Sequence, residues 1–461
     1  MRYSRPLPKS KAPPHSPRRK QSPHGEPTAT VEIEALTWGG RGLARHEGKI
    51  IFVSKSVPGD KLLVGLERIK SRYAEGHVRA VLAPGPDRVE PKCKFFSHCG
   101  GCQWLNTAYA RQLREKELLL RSILRRHLPE SGPEAIVGAD PDRGYRHKGD
   151  FHVHATGDTL RIGFYQEGSH HVVNLDFCLL FDRDYNVFYQ NLRSVLRHDP
   201  RAKALERLTL DRDEEGAHYA AHLHLREGAS AEEAAALARL GESAGLGGGL
   251  VTPAREPGRI LARWGRPWTR YTLPGAEAGA PGLRMQADVR SFTQAHYPMN
   301  RKLVERVREW LGLARHERLL DLYSGIGNFS IPLAPLCREV VAVESSPTAH
   351  EDTKENARIN DLLNLRPLLG EAAPWVSKLA AASESFDAVL LDPPRTGARE
   401  LLETLVHLTP KRILYVSCNL PALERDLQIL GEAGYRPIRV QAWDLFPQTY
   451  SVETLCLLSR S

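Results

Sequence analysis

Apolar and polar positions alternate with a period of two in several short runs between residues 28 and 86: TVEIEAL (30–36), GKIIFVS (48–54), VPGDKLLVGLERIK (57–70) and YAEGHVRAVL (73–82). Such alternation, punctuated by glycine turns, predicts a small OB-like β-barrel. The period changes over residues 105–128. There Tyr109, Leu113, Leu120, Leu124 and Leu128 recur at helical spacing and predict a helix with those side chains in the core. Toward the C-terminus the alternation stops. VVAV (340–343), FDAVLL (386–391) and ILYV (413–416) read as fully buried strands of a parallel sheet, and LLDLYSGIGNF (319–329) reads as strand, glycine turn and helix start. The fold class is therefore α/β in three parts: the barrel over 28–86, a mixed α+β segment over 87–290, and a Rossmann-like domain over 291–461. Residues 228–282 are rich in Ala, Gly and Pro and yield no clear order.

A chain of 461 residues has room for two or three domains. Its net charge of +9 suits an acidic partner. Residues 1–27 form a basic, proline-rich tail that is too polar to fold alone, and it either touches RNA or merely solubilises. The barrel strands interleave Arg41, Arg45, Lys49, Lys61, Arg68, Lys70, Arg72 and Arg79, which suits nucleic acid, although solvated strand faces look similar. No apolar stretch approaches a membrane span and the N-terminus lacks a signal-peptide core, so a cytoplasmic protein with no membrane partner is expected. Seven cysteines in such a chain argue against a disulfide framework.

Three cysteines crowd together in Cys93-x5-Cys99-Gly-Gly-Cys102, and Cys178 follows much later. This spacing is that of metal-ligating thiolates. Its 3+1 layout suits an iron–sulfur cluster better than the paired knuckles of zinc. Cys337 and Cys456 read as core thiols. The histidine pairs His152/His154 and His222/His224 each share a strand face and read as polar surface rather than metal ligands.

Ligands of open α/β sheets sit outside the carboxyl ends of the strands. Asp392-Pro-Pro-Arg395 and Val416-Ser-Cys-Asn419 close two of the buried runs, so Asp392 and Cys418 arrive side by side on that edge. The glycine turn and Glu344, at the end of the next strand, outline a nucleotide site in which the acid grips a ribose diol. Nicotinamide-binding folds share that outline. The acid-Pro-Pro after the fourth strand points instead to an S-adenosylmethionine (SAM) enzyme acting on a nucleobase. Methyl transfer to C5 of a pyrimidine needs a thiolate that adds at C6, makes C5 nucleophilic and later leaves, which Cys418 can do. It also needs a base for the C5 proton, and Glu453 enters the last strand near the same edge.

On these residues the sequence resembles the bacterial RNA uracil-5-methyltransferases, and most closely their 23S ribosomal RNA members, over residues 28–461. Val57-Pro-Gly-Asp60 matches the family's TRAM domain. The resemblance implies a [4Fe–4S] cluster on Cys93, Cys99, Cys102 and Cys178, and SAM contacts at Gln294, Tyr323, Asn328, Glu344 and Asp392. It also implies Phe292 near the target base, Cys418 as nucleophile and Glu453 as base. The chain departs from the family at Tyr323-Ser-Gly325, Glu371, Gln448 and Ser451. The expected partner is structured RNA, with no DNA. Alternatives are a transfer-RNA uracil methyltransferase, an amino-group or cytosine methyltransferase, and a non-catalytic iron–sulfur RNA-binding protein.

Overall fold

The computed structural model describes residues 27–157, 159–275 and 279–460. The expectation for the basic tail lies outside these residues, apart from Pro27. The first six strands are β1 (Thr28–Glu32), β2 (Ala35–Leu36), β3 (Gly42–His46), β4 (Lys49–Ser54), β5 (Lys61–Ile69) and β6 (Tyr73–Ala83). They pair in the order β1-β5-β6-β4-β3-β2. Because β1 and β2 are halves of one bent strand, the sheet closes as an OB-type barrel. The Val57-Pro-Gly-Asp60 turn locks it. Asp60 is fully buried and accepts the Val57 and Gly85 N–H groups (2.7 and 2.9 Å) and both prongs of Arg88 (2.8 and 2.6 Å).

Helix α1 (Tyr109–Ile123) is shorter than the predicted 105–128 at both ends. Residues 104–107 instead form a turn whose Trp104 and Thr107 carbonyls take the Gln112 amide (3.0 and 2.9 Å). Leu120 and Leu124 are buried as expected, while Tyr109, Leu113 and Leu128 are only half-buried. Strand β7 (Glu134–Val137) follows.

The central sheet comprises β8 (Lys148–Thr156), β9 (Thr159–Tyr165), β10 (Val172–Asn174), β11 (Leu205–Arg212), β12 (Tyr219–Leu225), β13 (Gly248–Pro253) and β14 (Ala262–Gly265). Helices α2 (Arg183–His198) and α3 (Ala231–Ser243) share a core with its Phe151, Leu208, Leu223 and Val251. The stretch 228–282 thus resolves into a helix and three strands, counting β15 below. Ser230 and Glu233 close a reciprocal capping box on α3, a signal that was present in the sequence.

A hairpin, β15 (Trp268–Leu273) and β16 (Leu283–Asp288), leads to the last body. Its strands are β17 (Arg318–Leu322), β18 (Glu339–Glu344), β19 (Leu365–Leu369), β20 (Ala388–Leu391), β21 (Arg412–Ser417), β22 (Tyr435–Trp443) and β23 (Glu453–Arg460). With β7 they pair in the order β19-β18-β17-β20-β21-β23-β22-β7. The helices around this sheet are α4 (Tyr297–Leu311), α5 (Ser330–Leu333), α6 (Pro347–Ile359), α7 (Ala372–Ala381), α8 (Arg399–Leu405) and α9 (Leu420–Glu432). Strands β17 to β21 run parallel, and all but the edge strand β19 are buried on both faces, hence their unbroken apolar runs. Between β17 and β20 the winding reverses, which opens a crevice at the strand ends.

Residues 104–139 and the β15–β16 hairpin pack into this last body, although the sequence reading put them in the central segment. Trp104, Leu119, Leu120 and Leu124 share one core cluster with Leu391 and Tyr415, and Tyr271 and Met285 share another with Leu390 and Leu414. Periodicity identifies a strand or helix but not the sheet it joins.

Candidate active site

After β17, Tyr323, Gly325 and Gly327 all lie in the left-handed region (φ 64°, 56° and 84°). A β-carbon on Gly325 would meet nothing within 4 Å, so the turn borders open space that could receive a cofactor. Glu344, ending β18, accepts the N–H groups of Gly325 (2.9 Å) and Ser346 (2.6 Å) and thereby ties two strand ends together. Gln294, in the 289–296 loop, is buried, and its side-chain oxygen has no partner. That loop also carries Phe292, which is 72% exposed. Asn328 differs. It exchanges amide hydrogen bonds with Asn300 (2.8 and 3.0 Å), so its side chain is already committed. Glu371 is exposed at the start of α7 and makes no cap.

Three reactive groups converge beyond β20 and β21. Ser417 pairs with Thr454 across the antiparallel β21–β23 ladder, so one step further Cys418 stands opposite Glu453. Asp392 follows Leu391, which pairs with Tyr415 on the neighbouring strand. Glu453 is only 3% exposed, and its Oε1 has no hydrogen-bond partner. Burial, then the Glu453 and Asp392 carboxylates, push the Cys418 thiol up to about 11, while Arg395 opposes them. Burial and Asp392 hold Glu453 well above the usual carboxylate range. Asp392 is raised by burial and by Asp321. Burial and mutual repulsion thus oppose ionisation of these three groups, and an incoming cation would favour their ionised forms.

The four clustered cysteines line one cavity of about 30 Å³ together with Phe95, Phe96, Phe164 and Phe177. All seven cysteines are free thiols. Among the described residues, no three His, Cys, Asp or Glu side chains are disposed to hold a single metal ion. Gly100 lets the cysteine loop press against β9: its N–H donates to the Tyr165 carbonyl (2.9 Å), and a β-carbon would lie 3.0 Å from that oxygen. Lys55 of the barrel donates to the carbonyls of Phe96 and Cys99 (the latter at 3.3 Å), docking barrel on loop. Asn186 fastens the other side by accepting the Cys178 N–H (2.8 Å). Cys337 and Cys456 are buried, as expected of core thiols.

Of the two histidine pairs read as polar surface, His154 is exposed and His152 half-buried, whereas the second pair lies inside. His222 and His224 are buried with rings 3.7 Å apart and bond to Thr252, Thr209 and Arg207. Burial pushes them down to about 3 and about 2, so they are neutral. No described helix is long and apolar enough to cross a membrane.

Residues 108–373 and 375–461 match the family described as tRNA (Uracil-5-)-methyltransferase. The chain belongs to this family. Residues 27–78 match the TRAM domain, the barrel described above. Among similar family members, an uncharacterized RNA methyltransferase of Thermosynechococcus vestitus is 34% identical over 94% of this chain and 98% of its own. The 23S rRNA (uracil(1939)-C(5))-methyltransferases RlmD of Marinomonas sp. and Aeromonas hydrophila are 31% and 33% identical. They cover 96% and 91% of this chain, and 98% and 93% of their own lengths. The crystal structure of Pyrococcus abyssi tRNA (uracil-54, C5)-methyltransferase with S-adenosyl-L-homocysteine aligns with a TM-score of 0.70 at 24% identity. It covers 93% of this chain and 100% of that one, a likeness of fold.

Several residues around the site escaped sequence reasoning. Asp321, inside β17, is pushed up to about 7 by burial, and its charge acts on Asp392. Lys116 is fully buried and donates to Asp444 (2.6 Å) and to the Phe446 carbonyl (3.1 Å), on the loop that leads to Glu453. A clue existed, since Lys116 falls on the helical stripe of Tyr109, Leu113 and Leu120. Gln448 is held by Gln112 and Asp142 rather than facing solvent (2.9 and 3.0 Å).

Proposed function

We propose that the protein methylates C5 of a uridine in RNA, with SAM as methyl donor and 23S ribosomal RNA as substrate. The observation that carries this reading is Cys418 facing Glu453 across the β21–β23 ladder with Asp392 alongside. Gly325, Gln294, Tyr323, Glu344 and Asp392 are the groups that would hold SAM, with the Asn328 backbone contributing beside the turn. When bound, SAM supplies an electrophilic methyl group and one positive charge.

Cys418, once ionised, adds its sulfur to C6 of the uracil and leaves C5 as a nucleophilic enolate carbon. After C5 is methylated, Glu453 takes the C5 proton, the C5–C6 double bond re-forms and the Cys418 thiolate departs. Over one cycle the thiolate is regenerated and the C5 hydrogen leaves as a proton. Ionisation of Cys418 and Glu453 is the obstacle in a site of like charges, and a cationic ligand eases it. Phe292, exposed at the mouth, meets the base once it has left its stack.

Ribosomal RNA is favoured because the relatives sharing 31–33% identity over nearly the whole chain carry that activity in their names. The barrel does not decide the matter. The solved transfer-RNA enzyme covers too large a share of this chain to lack one. Lys49, Lys61, Lys70 and Arg72 have no acidic partner among the described residues and are the barrel cations available to phosphates, whereas Arg41, Arg45 and Arg68 are paired with Glu75 and Glu34. The enzyme would act in the cytoplasm.

Cys93, Cys99, Cys102 and Cys178 fit a [4Fe–4S] cluster. They provide its four-thiol donor set from two chain segments around one apolar-walled cavity. Such a cluster would tie the barrel-docked cysteine loop to the turn before α2, and no chemical step passes through it. Roughly four irons per chain after anaerobic purification, lost in Cys102→Ser, is the expected result.

The decisive experiment is tritium release from uridine-5-labelled RNA with SAM, comparing 23S ribosomal and transfer RNA, wild type and Cys418→Ala. Release from ribosomal RNA that requires both SAM and Cys418 is expected. Release from transfer RNA alone would move the substrate, and methylation without release would overturn attack at C5.

A further inference from the structure

The loop that carries Phe292 is gripped from below by a buried ion cluster on the central sheet. Lys148 of β8 and Asp211 of β11 are register partners, with Lys148 Nζ 3.3 Å from Asp211 Oδ2. The same ammonium donates to the carbonyls of Val289 (2.9 Å) and Ser291 (2.7 Å). His147, 3.0 Å from Asp211 Oδ1, reaches the Gln294 carbonyl with its other ring nitrogen (2.9 Å) and stacks on Tyr297 (3.7 Å). A third anchor comes from α6, where Asp352 accepts the Ser291 hydroxyl (2.6 Å). Asp211 is fully buried and His147 is 2% exposed.

The backbone is therefore fixed on both sides of Phe292 while its ring remains 72% exposed. Exposed phenylalanine is unfavourable, and clamping the backbone beneath such a ring costs backbone conformational entropy as well. Both make sense if the ring must stand at one position before its partner arrives, since a pre-set contact avoids ordering cost at binding. The Lys148–Asp211 pair of this clamp belongs to the central sheet, while Asp352 is its anchor from the catalytic body. The pair thus connects the part of the molecule without reactive groups to the target base.

We propose that Lys148, oriented by Asp211, is a positioning residue for base capture, acting through Phe292. The proposal rests on the reading above that Phe292 meets the flipped uracil. It separates two roles within one short loop: Lys148 sets Phe292, and His147 sets Gln294 on the SAM side.

The test is a double-mutant cycle in the tritium-release assay. Lys148→Met should lower kcat/KM for RNA by about 100-fold, the scale of a misplacement near 1 Å, while SAM affinity by calorimetry stays within about twofold. Lys148→Arg, which keeps the donors, should recover most of the activity. In a Phe292→Ala background, Lys148→Met should add no more than about twofold. The variant Lys148→Met/Asp211→Asn removes the stranded carboxylate and guards against simple unfolding. It should regain thermal stability without regaining activity.

Losses from Lys148→Met and Phe292→Ala that multiply would overturn the proposal and leave the proposed function intact. Recovery of activity in Lys148→Met/Asp211→Asn would overturn it too, by showing that stability alone was lost. A neutral Phe292→Ala would remove both the base contact and this proposal, while Cys418-dependent release would still stand.

Discussion

Lys116 and Asp444 meet across 328 residues of chain with both side chains fully buried and 2.6 Å between charged atoms. At an effective dielectric near 20, that separation corresponds to an attraction of about 6 kcal/mol. Desolvating each charge costs several kcal/mol, so the intact pair is close to break-even. Removing one member is another matter. Lys116→Met leaves Asp444 desolvated without its cation, with the Phe446 N–H (3.1 Å) still donating to it, and the expected loss is about 3–5 kcal/mol. Lys116→Met/Asp444→Asn deletes both charges and should recover at least ~2 kcal/mol of it. Urea unfolding followed by circular dichroism reads both as shifts of midpoint at unchanged slope. A single-variant loss below ~1 kcal/mol, or a double variant no more stable than the single, would refute this reasoning about stranded charge. Because residues 444–452 lead directly into Glu453, Lys116→Met should also slow turnover at saturating SAM.

Cys418, pushed up to about 11, should alkylate slowly at neutral pH with a rate still rising at pH 10, where an ordinary thiol near 8.5 has levelled off. Cationic SAM should quicken that alkylation and neutral S-adenosylhomocysteine should not; equal effects of the two ligands would count against the charge argument. Glu453→Gln should still transfer the methyl group yet leave RNA covalently attached, visible as a denaturant-stable protein–RNA band, and normal product release would assign the base elsewhere. Each of Lys49→Ala, Lys61→Ala, Lys70→Ala and Arg72→Ala should reduce the salt slope of RNA binding by about one. An unchanged slope in all four would move the phosphate contacts off the barrel.

The parts of this molecule that were legible in the chain are those whose determinants are sequence neighbours. The barrel followed from period-two alternation and the Val57-Pro-Gly-Asp60 turn, the parallel strands from unbroken apolar runs, and the cysteine loop from its spacing. Cys418 and Asp392 were legible for the same reason, since a strand end and its following residues announce themselves locally. Errors appeared where an element's partner is remote. The helix predicted over 105–128 lost its first turn to the Gln112 hydrogen bonds, and His222 and His224, expected on a polar face, are buried beneath other parts of the chain. The pairing of the Asn328 side chain with Asn300 likewise has no local signature.

By itself the sequence determined the order of elements, the glycine turn and the thiol at a strand end, because backbone preference and burial period act over a few residues. Only tertiary structure decided that β23 returns antiparallel to set Glu453 against Cys418, that α1 and β7 leave the middle of the chain to complete the catalytic sheet, and that buried Lys116 and half-buried Lys148 hold loops far from them in sequence. Those choices depend on which surfaces cover one another and on where a charge can be paired once water is excluded. Both are properties of the packed molecule and of no single segment.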